Sequence, residues 1–205
     1  MSDTTPTVQE FGREYATEQL RRSRHPLRRF IKGFYLRDLM RDVRGPCIDF
    51  GCGAGQLLAC LPVGSTGLEV NPYLIEALRA MGLQVHQAHA TMQDVELKGF
   101  AGGAYRTLVI AHVLEHLPDP AAALRVLLAA CRNLGIERVI AVVPGAKGFA
   151  ADHTHKTFID RAWLDAHVAE RLEGFERRTI GCFPGRWERI GRYFVFHEIR
   201  IAEGR

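Results

Sequence analysis

The run Cys47-Ile48-Asp49-Phe50-Gly51-Cys52-Gly53-Ala54-Gly55-Gln56 constrains the fold more than any other part of the chain. An apolar, strand-like stretch runs into three glycines at alternate positions. An extended segment must therefore end in a tight turn that uses backbone dihedrals other residues avoid. Bare backbone in that turn lets a ligand approach closely. A helix opening behind it would present unpaired N–H groups and partial positive charge, a place for a carboxylate or phosphate.

Around this turn the apolar pattern predicts strands at about 46–50, 66–70, 83–87, 106–111, 137–143, 175–182 and 193–201. Helices fit about 55–61, 72–81, 120–133 and 160–172, the last capped by Asp160. Strands alternating with helices indicate βαβ units around a parallel sheet. The last two strands are separated only by Phe183 to Arg192, too short for a crossover helix, so they should pair antiparallel. At 205 residues one domain is expected, spanning 45–205 behind an N-terminal helical cap, 1–44.

In that cap, Leu27, Phe30, Ile31, Phe34, Tyr35, Leu39 and Val43 recur at helical spacing, with Arg28, Arg29, Lys32, Arg37 and Arg41 between them. A weaker helical stretch at about 8–24 precedes it, and Pro26 suits the first turn of the second helix. The formal net charge of +4 is concentrated here: residues 1–44 hold ten Lys/Arg against six Asp/Glu, leaving seventeen of each elsewhere. No apolar run approaches the roughly 20 residues of a spanning helix, and the N-terminus lacks the apolar core of a signal peptide. A cytoplasmic protein is therefore expected. The cysteines, Cys47, Cys52, Cys60, Cys131 and Cys182, form no C-x-x-C pair, so neither a disulfide framework nor a cysteine zinc site is indicated, and reduced core thiols are expected.

Gly67-Leu68-Glu69-Val70-Asn71-Pro72 places a carboxylate at the end of the second strand, 18 residues past Gly51. An acid there can bind a ribose diol, or it can cap the following helix. The combination with the glycine turn favours nucleoside binding. The segment Ile48 to Gly55 resembles the first motif of class I S-adenosylmethionine-dependent methyltransferases, and Glu69 resembles their ribose-binding acid. His112-Val113-Leu114-Glu115-His116-Leu117-Pro118-Asp119-Pro120 resembles the segment after their fourth strand. His155-Lys156-Thr157-Phe158, Leu164 and Gly174-Phe175 are similar to a stretch common in small-molecule members, and Gly191 to Glu198 is similar to their last strands.

The resemblance implies a Rossmann-like α/β fold: a seven-stranded, mostly parallel sheet with an antiparallel last strand and helices on both faces. It implies S-adenosyl-L-methionine as cofactor and S-adenosyl-L-homocysteine as product. Carried over, it sets the methionine moiety against Gly51, Cys52 and Gly53, within the turn closed by Gly55 and supported by Asp49. Glu69 would hold both ribose hydroxyls, and Val70 or Asn71 would lie along the adenine. His112 and Val113 would border the sulfonium, and Ala90 or Thr91 the adenine edge. Many relatives place an Asp after the third strand to accept from the adenine amino group. Here His89 stands nearest that position, so His89, Gln93 or backbone is expected to take the role.

Methyl transfer from a sulfonium is an in-line displacement in which positioning dominates. An alcohol or phenol acceptor still benefits from a base, and imidazole titrates in the right range. His116 follows the fourth strand and His153 and His155 the fifth, at the edge where α/β folds bind ligands. His116 and His155 rank first, His153 after them. His112 to His116 also matches the inverted zinc-peptidase pattern H-x-x-E-H. That motif needs a helix, whereas here it straddles a strand end before Pro118, so no metal is assigned to it. Phe149, Trp187 and Tyr193 could wall an acceptor pocket, and Arg186 and Arg189 could bind an acidic group.

These features favour methylation of a small molecule or glycan, on oxygen before nitrogen, because no Asn/Asp-Pro-Pro-aromatic motif follows the fourth strand. An RNA methyltransferase gripping phosphates through Arg21, Arg22, Arg24, Arg28, Arg29 and Lys32 is a second reading. A nicotinamide-dependent oxidoreductase is a third, disfavoured because the third glycine, Gly55, comes one position earlier than G-x-G-x-x-G requires.

Overall fold

Two central strands decide the layering, because their apolar side chains alternate between two cores. In the computed structural model, which describes residues 12–89, 92–183 and 196–203, these strands are β4 (Thr107–Ala111) and β5 (Arg138–Pro144). Leu108, Ile110, Val139, Ala141 and Val143 face one core, with Leu124, Leu127, Leu128 and Cys131 of helix α5 (Pro120–Asn133). Val109, Ile140 and Val142 face the other, with Tyr35 and Leu39 of α2 (Pro26–Met40). Alternation with period two is what a sheet buried on both faces requires.

The sheet also contains β1 (Cys47–Phe50), β2 (Thr66–Glu69), β3 (Val85–Gln87), β6 (Arg171–Leu172), β7 (Phe175–Phe183) and β8 (Phe196–Glu203). Their order is β3-β2-β1-β4-β5-β8-β7-β6, and β1 to β5 pair in parallel. The expected seven-stranded sheet is thus corrected to five parallel strands extended by an antiparallel hairpin. β8 inserts antiparallel between β5 and β7, and the two-residue β6 adds an eighth strand.

The remaining helices are α1 (Arg13–Arg24), α3 (Pro72–Ala80), α4 (Met92–Val95), α6 (Ala146–Ala150) and α7 (Arg161–His167). Caps fix three helix starts. Asn71 accepts from the N–H groups of Tyr73 and Leu74, Asp119 from Ala122, and Asp160 from Trp163, while Pro72 and Pro120 occupy first-turn positions.

Three expectations change. The helix predicted at 55–61 is a single 3₁₀ turn, Leu58–Cys60, because Gly55 sits at φ 71°, outside any right-handed helix. The helix predicted at 160–172 ends at His167, where Val168 turns extended. Its expected tail instead forms β6, joined to β7 through Glu173 and Gly174, both at positive φ, as tight hairpins prefer. The apolar stripe of α2 is buried only toward its C-terminal end: Tyr35 and Leu39 enter the core, while Leu27, Phe30 and Phe34 are exposed. Cys47, Cys52 and Cys131 are free and buried, and Cys60 is free and exposed. No helix among the described residues is long and apolar enough to cross a membrane.

Candidate active site

The sheet order places β1 beside β4, the point where such folds open a crevice at the carboxyl ends of their strands. The turn after β1 forms one wall of it. Gly51 and Gly55 lie at φ 74° and 71°, and a Cβ on either would come within 2.4 Å of Val113 Cγ2 or Leu78 Cδ2 respectively. Gly53 differs: it has φ 53°, yet a Cβ there would meet nothing within 4 Å. Packing therefore dictates the outer glycines, while the middle one faces open space where a ligand can touch backbone. Val113 lies against Gly51, so the turns after β1 and β4 meet.

Glu69 closes the wall from the next strand. Its Oε2 accepts the Gly53 N–H at 2.8 Å, and its Oε1 accepts those of Val70 at 3.0 Å and Asn71 at 2.9 Å. Burial raises its carboxyl pKa, and these three N–H groups oppose the rise. Asn71 is buried with its side-chain oxygen committed to capping α3, which leaves Val70 the more accessible of the pair.

Asp49 lies beneath the turn. Burial pushes its carboxyl up to about 7, while the ammonium of Lys32 and the N–H of Leu58 pull the other way and the charge of Glu69 adds to the rise. Lys32, on α2, donates to Gln56 Oε1 at 2.8 Å, and Gln56 in turn donates to the Ser23 carbonyl at 2.9 Å. The position where a dinucleotide fold would carry its third glycine thus ties both N-terminal helices to the turn. Arg13 stacks over Tyr73 at 4.9 Å. α1 therefore lies against the start of α3, beside the turn.

His89 is exposed and donates its backbone N–H to Asp94 Oδ2 at 3.0 Å. Ala90, Thr91 and the side chain of Gln93 fall outside what the structure describes, as do Trp187, Tyr193, Arg186 and Arg189.

The other wall holds the histidines. His112 terminates β4 at φ 57°, donates its N–H to the Val142 carbonyl at 2.8 Å, and brings Nδ1 to 3.4 Å from Glu115 Oε1. The chain then makes a 3₁₀ turn, Leu114–His116, so the two ends of H-x-x-E-H do not share a helical face. Lys156 and Thr157 donate their N–H groups to the Glu115 carbonyl at 2.7 and 3.1 Å, fastening the loop after β5 onto this turn. That contact brings the His116 and His155 rings to 4.6 Å. His155 Nδ1 meets the Phe149 carbonyl at 2.9 Å, and Phe149 stacks on the ring. His116 Nδ1 meets Thr154 Oγ1 at 3.0 Å, and that hydroxyl donates to Asp152 at 2.6 Å. Burial holds the His116 imidazole below its ordinary pKa, with the charge of Glu115 opposing. His153 is exposed and stands outside this pair.

Motif spacing singles out His116 and His155 but not Thr154, Asp152 or the place of Glu115 between them. No pattern in the sequence announces a loop folding back over that distance. The cations of the N-terminal helices are partly engaged: Arg21 and Arg22 both pair with Glu18, and Lys32 turns inward to Gln56.

A family model described as a methyltransferase domain matches residues 16–170. Ubiquinone biosynthesis O-methyltransferases of Xanthomonas oryzae pv. oryzae and of Xanthomonas euvesicatoria pv. vesicatoria are 33% identical over 107 residues. That stretch is 50% of this chain and only 40% of those relatives. Among solved structures, a SAM-dependent methyltransferase of Thermotoga maritima aligns with TM-score 0.64 at 16% identity, covering 93% of this chain and 97% of its own. Magnesium protoporphyrin IX methyltransferase of Synechocystis PCC 6803, with bound SAH, aligns with TM-score 0.59 at 13% identity, covering 96% and 98%. At these identities the likeness is one of fold.

Proposed function

Because the chain belongs to the methyltransferase domain family, we propose that it transfers a methyl group from S-adenosyl-L-methionine to a hydroxyl of a small-molecule or glycan acceptor. The observation that carries the reading is the 2.8 Å contact between the Gly53 N–H and Glu69. It joins backbone open to a ligand to a buried carboxylate suited to a ribose diol. The family assignment leaves no place for the nicotinamide reading.

When bound, the cofactor supplies an activated methyl on a sulfonium. The chain's own residues orient and deprotonate. Gly51, Cys52 and Gly53 receive the methionine end, Glu69 the ribose hydroxyls, Val70 the adenine face, and His112 and Val113 border the reacting centre. Cys52 serves through its backbone, since burial raises its thiol pKa and keeps it neutral. The acceptor would lie toward His116 and His155, one of which would take the proton of its hydroxyl and leave the oxygen free to receive the methyl that the bound cofactor would supply. The helices α1 and α2 act as a cap that excludes water from this crevice. The pairing of Arg21 and Arg22 with Glu18 favours a small acceptor over a phosphate backbone.

Incubating the chain with labelled cofactor and a panel of phenols, catechols and glycans tests the reading. Methyl transfer to oxygen in that panel, reduced about 10²- to 10⁴-fold in His116→Ala, is expected. Transfer only to RNA, or to no acceptor at all, contradicts it.

A further inference from the structure

The crevice wall opposite Glu69 contains a feature that methyl transfer alone does not require. Glu115 is fully buried, 0% exposed, yet neither carboxylate oxygen accepts a hydrogen bond. His112 Nδ1 at 3.4 Å and His155 Nε2 at 3.8 Å both face its Oε1, at more than ordinary hydrogen-bond length. A buried carboxylate without hydrogen bonds is costly and calls for a compensating charge.

Around it, two imidazoles are set in one protonation pattern. Thr154 Oγ1 spends its hydrogen on Asp152, so toward His116 it acts as an acceptor, and His116 Nδ1 must carry the proton. The Phe149 carbonyl can only accept, so His155 Nδ1 carries the proton there as well. In its neutral form each ring therefore presents a bare Nε2. A backbone carbonyl and a carboxylate acting through a hydroxyl are the outer partners that fix metal-binding histidines. One nitrogen from each ring and one Glu115 oxygen lie within 4.8 Å of one another, close enough to converge on a single ion.

We infer that Glu115, His116 and His155 bind a divalent transition-metal ion of the zinc class, with one coordination position left open to the crevice. Two neutral imidazoles and one carboxylate are the donor set of catalytic zinc sites, whereas magnesium and calcium prefer all-oxygen shells. The ion supplies the charge that the buried carboxylate lacks. Its role in the reaction rests on the proposed function. With the ion bound, His116 and His155 act as ligands in place of a general base: an acceptor hydroxyl at the open position becomes more acidic, gives its proton to solvent hydroxide or buffer base, and is held for in-line attack. The site itself stands independently of that role.

The test uses the metal alone. Metal-depleted full-length chain, without cofactor, is titrated with zinc by calorimetry and with cobalt(II) by electronic absorption. One equivalent of zinc should bind, with a low-coordinate nitrogen/oxygen cobalt spectrum, at least about 100-fold more weakly in His155→Ala. Glu115→Gln preserves volume and tests the charge separately. It should also bind zinc more weakly, and zinc should raise the melting temperature of the wild type but of neither variant. No stoichiometric binding, binding unchanged in both variants, or a thiolate charge-transfer band placing the ion on Cys60 overturns the inference. Zinc binding without methyl transfer would leave the site standing and refute only the functional reading.

Discussion

Gly53 donates its backbone N–H to the Glu69 carboxylate over 2.8 Å, so the turn after β1 and the end of β2 form one wall of the crevice. The contact does two things at once. It holds the turn in the shape that leaves the face of Gly53 open, and it fixes the orientation of the Glu69 carboxylate.

The glycines of that turn should differ in what they tolerate. A methyl at Gly51 meets Val113 Cγ2 at 2.4 Å as well as the φ penalty, while one at Gly53 meets open space. Left-handed backbone costs roughly 1–2 kcal/mol for a non-glycine residue. Thermal unfolding should show about that loss for Gly53→Ala and a larger one for Gly51→Ala. Adding Val113→Ala should restore part of the stability of Gly51→Ala but none of that of Gly53→Ala. Equal losses in both single variants would contradict the packing account.

Asp49 should make stability pH-dependent. Its folded carboxyl titrates at about 7, above the ordinary Asp value of 3.8, because it is buried. Between those values the folded state holds a proton the unfolded state has released. The contribution of this group is therefore fully present below about 4 and lost as pH rises through 7. Each tenfold change in proton affinity is worth ~1.4 kcal/mol, so the loss is at most about 4 kcal/mol, the opposing Lys32 ammonium being already included. Urea unfolding from pH 5 to 8 should show wild type weakening relative to Asp49→Asn. A constant difference across that range would refute it.

The N-terminal helices should depend on Gln56. Its amide is the link between Lys32 and the Ser23 carbonyl. Gln56→Ala should cost about 1 kcal/mol, from half-buried polar groups that lose their partners. Limited proteolysis should cleave α1 and α2 sooner, with the sheet domain persisting. Cleavage at the wild-type rate would show that the helices are held by other contacts.

Much of this arrangement was legible in the sequence because it is local. Strand alternation, the glycine turn and the Asn71-Pro72 and Asp119-Pro120 caps each declare themselves within a few residues. Two misreadings were local as well. Gly55 at the start of one predicted helix and Glu173-Gly174 just past the end of another are positive-φ signals that the apolar periodicity masked. What no short window reveals is contact between distant loops. Gly51 against Val113, Glu115 beneath His155, and Thr154 against His116 each depend on neighbouring strands ending at the same edge. The apolar stripe of α2 misled for a related reason, since spacing shows which residues share a face but not how far along the helix the sheet extends.

Calorimetric titration with S-adenosyl-L-homocysteine, of wild type and of Glu69→Ala and Glu69→Gln variants shown by circular dichroism to be folded, tests the cofactor site most directly. Binding on the order of 1 µM is expected for wild type. Loss of two charge-assisted hydrogen bonds should weaken Glu69→Ala by roughly 100-fold or more, with Glu69→Gln between the two. No binding by wild type, or equal affinity across all three, would contradict the account.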